Sequence, residues 1–167
     1  MSTLWSPAAN TDRMMLDYTI GEDRVWDARL LRWDVLGSLG HVEGLRVSGL
    51  LSPTEYRRLR TGLRAALRAV DDGKLRIGQR HEDAHSAVEM WLTDRWRDAG
   101  ERLHTGRSRN DQVVCDLRLY LKSTLLDLHA GALALAEALV AFGARHRRPL
   151  LPGYTHQQRA IPSSVAL

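Results

Sequence analysis

The strongest constraint on this chain is a long run of apolar residues that begins after residue 108. Val113, Val114, Leu117, Leu121, Leu125, Leu126, Leu128, Leu133, Leu135, Leu139 and Phe142 recur around more than one face of a helix. Ser108 is a good N-cap, and Asp111 near it favours the positive end of the helix dipole. The pattern predicts one helix from Ser108 to Arg145, far longer than the usual ~11–12 residues. A helix that is apolar most of the way round belongs in the middle of a bundle. The shorter helices before it cannot cover it, so further chain or other subunits must.

Those shorter helices are also legible. Apolar residues from Val25 through Leu45 recur at helical spacing, and Gly49 is a stop signal. Ser52-Pro-Thr-Glu55 is a start signal: a capping box with proline at the first helical position. This second helix is expected to run to about Val70 and to end at Asp71-Asp-Gly73. A connector covers residues 74–80. A third helix is expected over His81–Ala99, with Ala84, Val88, Trp91, Leu92 and Trp96 on one face and Gly100 closing it. Residues 1–22 read as an irregular arm. Pro149, Pro152 and Gly153 break the long helix, and Pro162 is expected to open another. No strong strand signal stands out, so the fold class is all-α. The predicted organisation is a small N-terminal helical domain over 1–107 and the start of a long central helix bundle over 108–167.

Composition narrows the class of function. Hydrophobic residues make up 44% and charged residues 26%, as in a soluble globular protein. The net charge of +4 comes almost wholly from Arg interleaved with Asp and Glu, which reads as a solvated surface. No nucleic-acid recognition module accompanies it, and nucleic acid is not expected as a partner. The one cysteine, Cys115, rules out an internal disulfide and fits a reducing compartment. The N-terminus lacks a secretory pattern. The most apolar stretch, 130–144, is short for a membrane span and carries Glu137. A cytoplasmic protein without a membrane partner is expected.

Three clusters carry chemistry. His104-Thr-Gly-Arg-Ser-Arg-Asn-Asp-Gln112 places Arg107, Ser108, Arg109 and Asn110 in a loop that enters a helix. Free N–H groups and guanidinium forks there make an anion site, although the same residues suit an ordinary capped helix. Pro152-Gly-Tyr-Thr-His156 places Thr155 and His156 side by side on a tight loop. Histidine titrates near neutrality and serves as acid or base, although a hydrogen-bonded loop histidine has the same look. His81-Glu-Asp-Ala-His85 holds Asp83 and His85. Metal ligation there lacks a further ligand cluster at credible spacing, so no metal is expected, and a helix start or an active-site neighbour remains.

Taken together, the clusters resemble the argininosuccinate lyases of the fumarase and aspartase superfamily. The first string looks like that family's signature. Pro152-Gly-Tyr-Thr-His156 with Gln158-Arg-Ala160 resembles its second signature. Glu82-Asp-Ala-His85 and Asp34-Val-Leu-Gly-Ser38 match earlier segments, and the likeness extends from about Tyr18. It implies a homotetramer in which central helices from several subunits form one core, and active sites drawn from three subunits. The implied reaction is reversible elimination of argininosuccinate to arginine and fumarate, with no metal or organic cofactor. Arg109 and Asn110 would bind a substrate carboxylate, Thr155 would hydrogen-bond substrate, and His156 would be the catalytic acid–base group or its orienter. Asp83, His85, Ser108 and Gln158 would support them.

The chain departs from the family pattern in places. Gln157 stands where the family usually has Leu, and Ile161 where it has Gln. The early substrate-binding serine falls near Asp23, and the usual N-terminal Trp-Gly-Gly-Arg-Phe reads Trp5-Ser-Pro-Ala-Ala. The third signature, a Gly-Ser-Ser loop thought to carry the catalytic base, does not occur, so the 167 residues are expected to be inactive by themselves. A non-catalytic relative, or a modulator inserting into tetramers of the same fold, is the alternative.

Overall fold

A computed structural model of the chain describes residues 14, 15, 18, 21–78 and 81–166. Among them lie five helices, α1 (Asp23–Val47), α2 (Pro53–Asp71), α3 (Ala84–Thr93), α4 (Arg97–Gly100) and α5 (Arg109–Arg145), and a hairpin of β1 (Leu150–Thr155) and β2 (Gln158–Ser164). Contacts divide the chain into two units, 1–121 and 122–167. The helical class holds for most of the chain. The Asp23 side chain, near the expected early substrate contact, lies outside the described residues, as does most of the predicted N-terminal arm.

Local signals account for the helix ends. The amide of Leu50 reaches back to the carbonyl of Leu45, while Gly49 adopts a φ of 71° that a side chain would resist. α2 opens with the predicted box: the Ser52 hydroxyl accepts from the Glu55 amide, and the Glu55 carboxylate accepts from the Ser52 amide at 2.8 Å. Gly73, at a φ of 68°, ends it in the same manner as Gly49 ends α1.

The apolar stripes of α1, α2 and α3 meet in the first unit. Leu31, Val35 and Val42 face Leu59 and Leu63, and Ala84, Val88 and Leu92 complete the core. α2 approaches α3 closely at Gly62, where a Cβ would stand 2.5 Å from Leu92 Cδ2.

Two expectations need correction here. The third helix does not run from His81 to Ala99. It starts at Ala84, because Asp83 and Ser86 cap each other, and it stops at Thr93. The chain then folds back, so that a Cβ on Gly100 would sit 2.8 Å from the Thr93 amide nitrogen. Nor does Pro162 open a helix. It pairs with Pro152 in the hairpin, where two extended segments satisfy each other's backbone groups instead.

α5 is helical for 37 residues, as the sequence pattern requires. Its buried residues are Gln112 and Asp116. Large apolar side chains along it are exposed, Leu125, Leu126 and Leu128 among them. Among the described residues it is also the one helix long and apolar enough to cross a membrane, with none of the qualifying stretch buried. The run 130–144 lies within this helix.

Candidate functional site

The first unit gathers its chemistry where α5 begins. Gly106, at a φ of 66°, turns the chain into the helix, and the Ser108 hydroxyl accepts from the Asn110 amide at 3.2 Å. Asn110 stays exposed. Arg109 extends its Nη1 to within 2.9 Å of Asp83 Oδ2. Asp83 has a second task as the N-cap of α3, accepting from the Ser86 amide at 2.8 Å. The α3 N-terminus is capped again from α1, where Asp27 accepts from the Ala84 amide at 3.1 Å.

Behind this rim lies a buried polar network. Asp34 sits on the apolar stripe of α1 and is fully enclosed. Its Oδ2 lies 3.0 Å from His85 Nδ1. Its Oδ1 accepts from Ser38 at 3.3 Å and from the Gln112 amide group by a short bond. Arg107 Nη2 donates to the Ser38 hydroxyl at 3.1 Å. Asp116, equally enclosed, has Oδ2 4.0 Å from His85 Nδ1, and neither of its oxygens accepts a hydrogen bond.

Burial and charge oppose one another in this network. Burial draws the His85 imidazole down, but the hydrogen bond and charge of Asp34, helped by Asp83 and Asp116, outweigh it and leave the pKa raised. The imidazole therefore favours its charged form, with Nδ1–H donating to Asp34. Burial pushes the Asp116 carboxyl up to about 7, reinforced by Asp34 and countered by His85 and Arg107. Asp116 is thus the carboxyl of this network that is lifted toward neutrality, while His85 is held toward its charged form. His104 is shifted the other way, lowered by burial and by Arg107.

Asp34, His85 and Asp116 also bring donor atoms within 4.8 Å of one another, a spacing that a divalent cation could bridge. His81 and Asp83, the near neighbours of His85 in sequence, are not members of this group. His81 precedes α3, and its Nδ1 accepts from the Gly78 amide at 2.9 Å. His85 instead finds its carboxylates on α1 and α5, which spacing along one segment cannot reveal.

In the second unit, Thr155 pairs with Gln158 across a two-residue turn made of His156 and Gln157. These two residues have φ of 50° and 63°, the geometry of a hairpin turn usually given to Asn and Gly. A bulge at Gly153 accompanies it, and a Cβ there would lie 2.7 Å from the Ile161 carbonyl oxygen. The result projects Thr155, His156 and Gln158 from one exposed hairpin end.

Asp83, His85, Ser108 and Arg109 thus meet within the first unit, and Thr155, His156 and Gln158 within the second. Sequence reasoning passed over Asp34, Gln112 and Asp116 as site residues. The signal was present at Asp34, a carboxylate between Leu31 and Val35 on a stripe otherwise apolar. A charge in such a place requires a partner.

Comparison with known proteins adds to this geometry. The sequence model of a family described as Lyase matches residues 7–167. An argininosuccinate lyase of Sorangium cellulosum is 44% identical over 97% of the chain, and one of Parabacteroides distasonis 41% identical over 98%. An argininosuccinate lyase of Leptospira biflexa is 38% identical over 95% of the chain. The chain spans 38%, 37% and 33% of these relatives' own lengths.

Proposed function

The chain belongs to the Lyase family, and from that premise we propose that the protein carrying it is an argininosuccinate lyase, a carbon–nitrogen lyase of arginine biosynthesis. The observation that carries this reading is the agreement with proteins of that name along nearly the whole chain. The anion-binding character of the α5 N-terminus supports it. There Arg109 already engages one carboxylate, that of Asp83, and Asn110 stands exposed beside it.

In this reading a base removes a proton from the carbon beta to the leaving nitrogen, and negative charge gathers on the adjoining carboxylate. The carbon–nitrogen bond breaks, fumarate forms, and an acid protonates the departing guanidino nitrogen of arginine. Such a reaction needs fixed donors for the carboxylates and a tuned acid–base group. Arg109 and Asn110 serve as carboxylate donors, Thr155 as a hydrogen-bond partner of substrate, and His156 as the acid–base group or its orienter. Asp83 holds Arg109, His85 braces the start of α3, Ser108 caps α5, and Gln158 closes the hairpin beneath His156. No metal or organic cofactor enters the scheme.

A homotetramer is part of the proposal. The exposed Leu-rich surface of α5 supports it, because a soluble protein rarely leaves so long an apolar face in water. A cytoplasmic setting and a domain boundary between residues 107 and 108 complete the reading. The test is fumarate release from argininosuccinate by the protein carrying this chain, followed by ultraviolet absorbance. The expected result is turnover that His156→Asn abolishes and that Arg109→Ala weakens through KM. Absence of turnover in the folded, tetrameric protein would overturn the assignment.

A further inference from the structure

The first turns of α5 are docked by polar side chains, and these follow one stripe. Arg109 meets Asp83, Gln112 meets Asp34, and Asp116 faces His85. The spacing is i, i+3 and i+7, one face of a helix. Both residues that α5 buries are polar, Gln112 and Asp116, while Val113, Val114 and Leu117 on the same turns are exposed. Apolar contacts tolerate a sliding helix, but hydrogen bonds do not. A slip of one residue turns the stripe by roughly 100° and moves it about 1.5 Å. It would break the Gln112–Asp34 bond and the Arg109–Asp83 pair, and leave the buried Gln112 amide without its partner.

We infer that Asp34, Gln112 and Asp116 are positioning residues that set the register of α5 against α1 and α3, and so hold Arg109 and Asn110 at the substrate carboxylate. The carboxylate role of Arg109 rests on the function proposed above; the register itself does not. Gly37 fits this role. It sits where a Cβ would come within 2.9 Å of Asp116 Oδ1, so α1 gives way for that carboxylate. The groups that face Asp116 are Asp34 and Asp27 from α1, His85 from α3 and Arg107 from the loop before α5. Their balance lifts the Asp116 carboxyl toward neutrality, and its ionisation places a second buried negative charge beside Asp34. The register therefore weakens as pH rises past neutral.

The test uses two variants and two readouts. In the 167-residue chain, NMR follows the guanidinium N–H signals of Arg109 and the amide signals of the α1–α2 core. Gln112→Ala is expected to broaden or shift the Arg109 signals while the core signals stay in place. Asp116→Asn keeps the shape but cannot ionise, and is expected to remove the pH dependence of the Arg109 signals around neutrality. In the active protein, Gln112→Ala is expected to raise KM for argininosuccinate about tenfold with a much smaller change in kcat. Asp116→Asn is expected to flatten the rise of KM above pH 7. Arg109 signals unmoved in both variants overturn the inference, as does a fall in kcat without a rise in KM. If Gln112→Ala fails to fold, the Asp116→Asn titration decides. If the unaltered protein does not cleave argininosuccinate, the proposed function fails, and the NMR arm still judges the register.

Discussion

Arg109 Nη1 lies 2.9 Å from Asp83 Oδ2, so the first residue of α5 is tied to the residue that caps α3. Asp83 therefore does two jobs, and substitutions separate them. Asp83→Asn keeps a good N-cap but loses the charge, whereas Asp83→Ala loses both. Loss of a cap costs about 1 kcal/mol, and a partly exposed ion pair contributes about 0–1 kcal/mol. Urea denaturation is expected to place Asp83→Ala at least about 1 kcal/mol below the parent, with Asp83→Asn close to it. Equal loss in both variants would move the effect from the cap to the charge.

Asp116 makes stability depend on pH in an unusual direction. Its folded pKa, about 7, stands above the ordinary value of 3.8, so the folded state binds the proton more tightly than the unfolded chain does. Stability from this group is full below about pH 4 and declines as pH rises to about 7. The raised His85 pKa adds the same sign at higher pH: its contribution is present below 6.5 and is lost as pH climbs through the folded value. Asp116→Asn removes the first of these. The variant is expected to be more stable than the parent at pH 8 and to show a flatter stability curve between pH 4 and 7, by denaturant titration at each pH.

Two glycines on α1 are expected to respond oppositely to alanine. Glycine within a helix costs about 1 kcal/mol relative to alanine. At Gly40 nothing lies within 4 Å of an added Cβ, so Gly40→Ala is expected to stabilise by up to about 1 kcal/mol. At Gly37 the Cβ meets Asp116 Oδ1 at 2.9 Å and Cys115 Sγ at 3.5 Å. Gly37→Ala is expected to lower the thermal midpoint, because the buried carboxylate has little room to move.

The apolar surface of α5 predicts association. Leu125 and Leu139 are each 61% exposed. Light scattering is expected to find self-association at micromolar concentration. The double variant Leu125→Ser and Leu139→Ser is expected to shift it toward monomer with helical content retained by circular dichroism. By contrast, Leu63→Ala in the core is expected to cost about 2–5 kcal/mol. A monomeric parent chain would remove the support that α5 lends to a tetramer.

The hairpin turn stores strain at Gln157, whose φ of 63° suits glycine. Gln157→Gly is expected to stabilise the hairpin by roughly 0.5–1 kcal/mol, seen as slower amide exchange at Thr155 and Gln158.

Much of this chain is legible one turn at a time. The capping box at Ser52 and Glu55, the stops at Gly49 and Gly73 and the length of α5 depend on residues within a few positions of each other, so a linear reading finds them. The hairpin was missed because Pro152, Gly153 and Pro162 announce only a break. Which extended segments then pair depends on contacts that the pattern of prolines does not carry. The buried network was missed for a similar reason. Asp34 is 51 residues from His85 and 78 from Gln112, and nothing in the spacing of any one helix links them. Local propensity and capping act over about one helical turn and were settled by the order of residues. The protonation of Asp116, the register of α5 and the partner of Arg109 were settled by packing, because burial and charge act through space on groups that the chain keeps far apart.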